Sequence, residues 1–217
     1  MTSTARLAGW VVLVGGLAAL NYASRASGER PADDALYQWD TAVGTFVLYG
    51  IIVVLTLALT LGADRTQLFA LRPPKSWKWA ALIAFGVLIV TFVVAAALEP
   101  LLHGEDEQGL TPDRWDSDRA PQYVANAVGI AGVAPVAEEL LFRGLGFSLL
   151  SRFGATAAIM LVGVAFGLWH GLVYALPVLA LFGAGLAFLR WRSGSIYPCI
   201  LLHALFNGIA LVVSVAA

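Results

Sequence analysis

TAVGTFVLYGIIVVLTLALTLGA, residues Thr41–Ala63, runs 23 residues without a charged side chain. A helix that crosses the hydrocarbon of a bilayer needs about 20 mostly apolar residues, so this run is long enough to span. It shows no apolar–polar alternation and is far longer than a barrel strand of ~10 residues, which argues against β structure. Working outward, charge-free stretches recur at Leu7–Ser24, Trp79–Leu98, Ala120–Ala137, Phe153–Leu189 and Ser193–Ala217. Phe153–Leu189 holds 37 residues, too many for one crossing. Within it His170-Gly171 and then Pro177 suit a tight reversal between two helices. The expectation is an all-α, polytopic transmembrane bundle of about seven helices, a single membrane domain over residues 1–217 with three helices within 1–98.

Composition agrees. Of 217 residues, 59% are apolar and 12% charged. A soluble domain of this length needs a polar shell, and globular chains are nearer a quarter charged, so lipid is the expected outer solvent. The net charge of −1 gives no reason to expect a nucleic-acid partner. The single cysteine, Cys199, excludes an intrachain disulfide.

Basic residues in short loops set orientation. Arg65, Arg72, Lys75 and Lys78 lie between the second and third helices, and Arg6, Arg143, Arg152, Arg190 and Arg192 fall on the same side of a seven-helix bundle. The opposite connection, Glu99–Ala120, carries seven acidic residues against Arg114 and Arg119 and reads as a solvated loop. The expectation is a multi-pass cell-membrane protein with a cytoplasmic N-terminus. A second reading of the first stretch, Arg6, an apolar run and Ala23-Ser24-Arg25-Ala26, is a secretory signal. Against it, the run is long for a signal core, and multispanning proteins use their first helix as the signal.

The chemistry-bearing residues lie in the C-terminal half. In Ala137-Glu138-Glu139-Leu140-Leu141-Phe142-Arg143, two carboxylates follow an apolar run, and a charge at mid-membrane costs at least ~2.5 kcal/mol. Glu139 and Arg143 are i and i+4, on one face and able to pair. Glu138 points about 100° away, with no local cation. The second signal is Phe166-x-x-x-His170, and the third His203-x-x-x-Asn207, whose polar residues share a helix face. Each alone fits an ordinary interhelical hydrogen bond. Together they say more. Glu138 precedes Gly154 by 16 residues and His170 follows it by 16, so a hairpin turning near Arg152–Gly154 sets them level, about 24 Å from the turn. His203, eight residues beyond Ser195, sits only about 12 Å from its own turn and is not expected at that level.

Such a set suits hydrolysis by water. A glutamate can take the proton, a histidine can orient the water, and a second histidine with an asparagine amide can donate to an oxyanion. Cys199 has no activating partner in the sequence and reads as packing.

Glu138-Glu139-x-x-x-Arg143, Phe166-x-x-x-His170 and His203-x-x-x-Asn207, in that order on successive helices, resemble the CPBP family of CAAX prenyl endopeptidases and bacteriocin-processing or immunity-associated membrane proteins. The resemblance covers roughly residues 121–214. It implies a helical bundle around an intramembrane active-site cavity, and an endopeptidase acting on a membrane-associated peptide or protein, prenylated or not. It implies Glu138 as base, His170 as its water-positioning partner, His203 and Asn207 as the oxyanion site, and Glu139, Arg143 and Phe166 in support. No cofactor is required. A zinc ion is the other way the family's chemistry has been read, with Glu138, His170 and His203 as ligands, but the chain lacks the His-Glu-x-x-His pattern that puts two ligands on one helical face. Two other functions remain open at this point. One is a non-catalytic scaffold or immunity protein of the same fold; the other is a small proton-coupled transporter, since buried Glu and His also mark ion pathways.

Overall fold

The computed structural model describes residues 2–28, 32–102, 107 and 115–216, and all regular structure among them is helical. Helix α1 spans Ser3–Ala26, its first turn capped by the Thr2 hydroxyl accepting from the Ala5 amide at 3.2 Å. Helix α2 is Trp39–Leu59, α3 the single turn Arg65–Leu68, and α4 Trp77–Leu102. A composite helix, α5, runs Ser117–Phe153. Gly154, at φ +96°, turns the chain into α6, Ala155–Trp169. After the His170–Ala175 reversal come α7, Leu176–Ser193, and α8, Tyr197–Ala216.

Seven long helical columns therefore stand where seven were expected. Five of them are long and apolar enough to cross a membrane by length and composition. The others are α6, which has only 15 residues, and α7, whose last turn carries Arg190 and Arg192. The expected break within Phe153–Leu189 falls at His170–Ala175, where Gly171 takes φ +66° and Pro177 opens α7 in the first turn, a position that needs no N–H bond. Of the acidic connection at Glu99–Ala120, residues 103–106 and 108–114 lie outside the described residues, while α4 continues to Leu102, Glu107 is placed and α5 begins at Ser117.

The outer faces are apolar. Val54, Phe85 and Val93 are each more than 60% exposed, an arrangement that only lipid accommodates at this density. Inside, an aromatic spine crosses the bundle. Trp10 of α1 meets Phe142 of α5, Phe142 meets Phe166 of α6, and Phe182 of α7 stacks on Phe206 of α8 at 4.2 Å. Small residues let α6 and α7 touch backbone to backbone. A Cβ on Gly163 would stand 2.7 Å from the Ala184 nitrogen and 2.8 Å from the Ala180 oxygen.

Helix α5 departs from simple α geometry. Gly129–Val133 and Leu140–Gly146 are π-helical, so the carboxylate pair Glu138-Glu139 sits on the short α segment Ala134–Glu139 between two wide turns. π segments of this kind concentrate at functional sites. Glycines at 144 and 146 let Phe69 and the Trp10 ring press against the widened turn.

Candidate active site

Two carboxylates and a guanidinium are fully enclosed at the middle of the bundle. Glu139 and Arg143 are 0% exposed and Glu138 only 2%. As the i,i+4 spacing requires, Arg143 NH1 donates to Glu139 Oε1 at 2.9 Å. Arg143 NH2 donates to the Gly183 carbonyl of α7 at 2.8 Å. The guanidinium lies over the Phe166 ring at 4.4 Å, a cation–π contact inside the core.

His203 of α8 reaches the same carboxylate: its Nδ1 donates to Glu139 Oε1 at 2.9 Å. Counting helical rise from separate turns had put His203 below this level, and here the structure corrects the expectation. The wide turns of Leu140–Gly146 shorten the rise between Glu139 and Gly154 only slightly, so the two connections, before α6 and before α8, do not stand at one depth along parallel axes. With Nδ1 committed to Glu139, His203 turns Nε2 toward Glu138 Oε2 at 3.8 Å, too far for a direct hydrogen bond.

His170 caps α6, and its Nδ1 lies 2.8 Å from the Phe166 carbonyl. A carbonyl only accepts, so Nδ1 carries the hydrogen and Nε2 keeps a lone pair. Phe166 holds the group together, its ring edge-on to His170 at 4.8 Å and to His203 at 5.5 Å. Asn207, one turn beyond His203, spends one amide hydrogen on the Ile130 carbonyl of the first π segment at 2.9 Å.

The two glutamates thus differ as their positions on the helix suggested. Glu139 is engaged by Arg143 and His203. Among the described residues no cation hydrogen-bonds to Glu138; the Tyr49 hydroxyl of α2 donates to its Oε1 at 2.6 Å, and the Oε2 of each glutamate is buried without a hydrogen-bond partner. Tyr49 was not anticipated. The available signal was its hydroxyl within a charge-free run, a group that needs a partner when buried. The contribution of α1 was also unmarked in the sequence. Trp10 Nε1 donates to the Leu141 carbonyl of the widened turn at 2.9 Å, and the Asn21 amide donates to the Trp169 carbonyl beside His170 at 2.6 Å.

For zinc, the donor types at Glu138, His170 and His203 are suitable, and both rings have their Nδ1 fixed by an oxygen, as metal-bound histidines do. Among the described residues, however, no three His, Cys, Asp or Glu side chains converge closely enough to hold an ion. The arrangement as it stands does not fit a closed zinc site. Away from these residues, an apolar groove of about 460 Å³ lies between α4, α6 and α7, lined by Val87, Thr91 and Phe188 among others.

Comparison with known proteins bears on this half of the chain. Residues 120–209 match the family model described as type II CAAX prenyl endopeptidase Rce1-like. No curated protein and no solved structure gives a match. The matched segment contains Glu138, Glu139, Arg143, Phe166, His170, His203 and Asn207, on the helices just described. This segment, though not the chain as a whole, is similar to the type II CAAX prenyl endopeptidases.

Proposed function

We propose that this protein is a glutamate-dependent intramembrane endopeptidase that cleaves a membrane-associated peptide or protein. The observation that carries the reading is the contrast at Glu138-Glu139. Both leave Oε2 unpartnered, but Glu139 is held through Oε1 by Arg143 and His203, whereas Glu138 accepts only from Tyr49 and turns its Oε2 toward His203 Nε2.

In this reading Glu138 Oε2 accepts a proton from a water that His170 Nε2 orients, and the hydroxide oxygen attacks the peptide carbonyl carbon. His203, protonated at Nε2 and held at Nδ1 by Glu139, donates to the resulting oxyanion together with the free N–H of Asn207. Glu138 then returns its proton to the leaving nitrogen as the C–N bond breaks. With Arg143 and a protonated His203, the two carboxylates face two cations, so the enclosed charge balances. Tyr49 fixes the Glu138 carboxyl so that Oε2, not Oε1, faces the reacting water. The basic residues gathered at the end of the bundle holding α3 support a cytoplasmic N-terminus.

The test is cleavage of quenched peptides, prenylated and unprenylated, by protein in liposomes, with and without a strong chelator. Activity that is lost in Glu138→Gln and survives chelation is the expected result. Activity abolished by chelation and restored by zinc would instead make His170 and His203 metal ligands.

A further inference from the structure

Arg190, in the last turn of α7, is a buried cation without a counter-charge. It is 7% exposed, and its Nε is buried with no hydrogen-bond partner. No ion pair or hydrogen bond joins its side chain to any described residue, and its guanidinium carbon lies 5.5 Å from the centre of the Phe147 ring. A helix C-terminus attracts cations, but that is worth under about 1 kcal/mol at a surface and supplies no acceptor for the orphaned Nε–H. An unpaired buried charge is costly enough that its site ordinarily provides an anion.

Two more cations converge on the same turn. Arg72 Nε donates to the Gly194 carbonyl at 2.9 Å, and the Lys75 amide donates to the Ser193 carbonyl at 3.0 Å, with the Lys75 side chain passing Gly194. Across this end of the bundle Arg6, Arg65, Lys78, Arg152 and Arg192 add to the positive charge, and Asp64 is the single carboxylate among the described residues there. The depth is marked by aromatic side chains. Trp77, Trp79, Trp191 and Tyr197 are 38–64% exposed and begin or end the spans on this side, as interfacial anchors do. Phospholipid phosphates lie at that level.

We propose that Arg190, Arg72 and Lys75 form a binding site for the phosphodiester of an anionic phospholipid. The buried guanidinium is the floor, and the two exposed side chains are the rim. Arginine suits the floor because its fork of N–H groups meets phosphate oxygens pairwise. The site lies at the end of α7 and α8, apart from the buried glutamates, and is independent of the proteolytic reading.

To test it, delipidated protein in an uncharged detergent is titrated with phosphatidylglycerol, phosphatidylcholine or inorganic phosphate, and thermal unfolding is followed by tryptophan fluorescence. Phosphatidylglycerol should raise the midpoint of wild type and of Arg192→Gln, a neighbouring exposed charge. Arg190→Gln and Arg72→Gln should need about tenfold more lipid for the same rise. If Arg190→Gln does not fold, the comparison of Arg72→Gln with Arg192→Gln decides. Equal responses in all variants, or an equal loss in Arg192→Gln, would overturn the site in favour of diffuse charge. Stabilisation by inorganic phosphate matching that by the lipid would overturn the assignment to phospholipid.

Discussion

His203 Nδ1 and Arg143 NH1 both donate to one oxygen, Glu139 Oε1, each at 2.9 Å. That shared acceptor ties α8 to α5, and through the second Arg143 nitrogen to the Gly183 carbonyl it ties both to α7. Three helices of the functional half are joined by one buried carboxylate. Glu139→Gln leaves the Arg143 charge unbalanced in the core, a loss on the order of 3–5 kcal/mol for a broken buried pair. Its expected outcome is poor yield of folded protein. Glu138→Gln leaves the bonds of Glu139 to Arg143 and His203 in place, so it should fold and lose all turnover. Size-exclusion profiles and peptide cleavage measured on both variants separate the two, and normal turnover by Glu138→Gln would eliminate it as the base.

Tyr49→Phe removes the hydroxyl that donates to Glu138 Oε1 at 2.6 Å. The ring keeps its packing, so stability should change little beyond about 1 kcal/mol. Freed from that bond, the carboxyl no longer holds Oε2 in place. Turnover is expected to fall about tenfold at unchanged KM, the pattern of an interaction that serves the reacting geometry. A raised KM with full kcat would place Tyr49 in peptide binding instead.

Asn207→Ala deletes both the bond to the Ile130 carbonyl and the amide hydrogen left over. Loss of one oxyanion donor costs roughly 10²–10³ in kcat. The kcat–KM split on a cleaved peptide checks this, and a change confined to KM would refute the donor role.

Gly163→Ala pushes a methyl group against the Ala184 nitrogen and the Ala180 oxygen at 2.7 and 2.8 Å, backbone atoms that cannot turn aside. Separating α6 from α7 also moves the Gly183 carbonyl from Arg143. Destabilisation of about 1–3 kcal/mol is expected, read as a lower unfolding temperature in detergent. Gly86→Ala, at a position where an added methyl meets nothing within 4 Å, serves as the control.

In the first turn of α5, Arg119 donates to Asp34 and to Asp116, each at 2.7 Å, joining the segment before α2 to the start of α5. Its hydrogen bonds hold both carboxyls below the ordinary aspartate value of 3.8. A carboxyl lowered on folding stabilises above its unfolded value and loses that contribution as pH falls through the folded one. The Asp116 amide, which donates to the Tyr37 hydroxyl at 3.0 Å, reports on this tie. Hydrogen exchange there should be faster in Arg119→Gln than in wild type at pH 7. The difference should shrink as pH falls below 3.8 and the carboxyls protonate. A difference that persisted in strong acid would mean that charge is not what holds the tie.

The helical bundle was legible because lipid imposes a coarse rule. A spanning segment satisfies its own backbone and carries few charges, so runs such as Thr41–Ala63 disclose helices with no knowledge of their neighbours. The reversal at His170–Pro177 and the pairing of Glu139 with Arg143 were legible for a related reason, since both depend on residues within a few positions of one another. From one sequence, the composition and these local spacings determined the fold class, the number of helical columns and the separation of Glu138 from Glu139.

Tertiary structure alone decided the rest. His203 meets Glu139 because of how α8 is set against α5, and no hydropathy pattern records that placement. Tyr49, Trp10 and Asn21 reach the site from helices whose sequences read as plain apolar spans, because a contact between residues 89 or 131 positions apart depends on which helices pack together and at what rotation. Arg190 looked like one more charge at a helix end until the packing of Phe147 and Arg72 around it left it buried without a counter-ion. Periodicity is written along one helix, whereas burial and partnership are set between helices, and that is where the chain's own sequence stopped being sufficient.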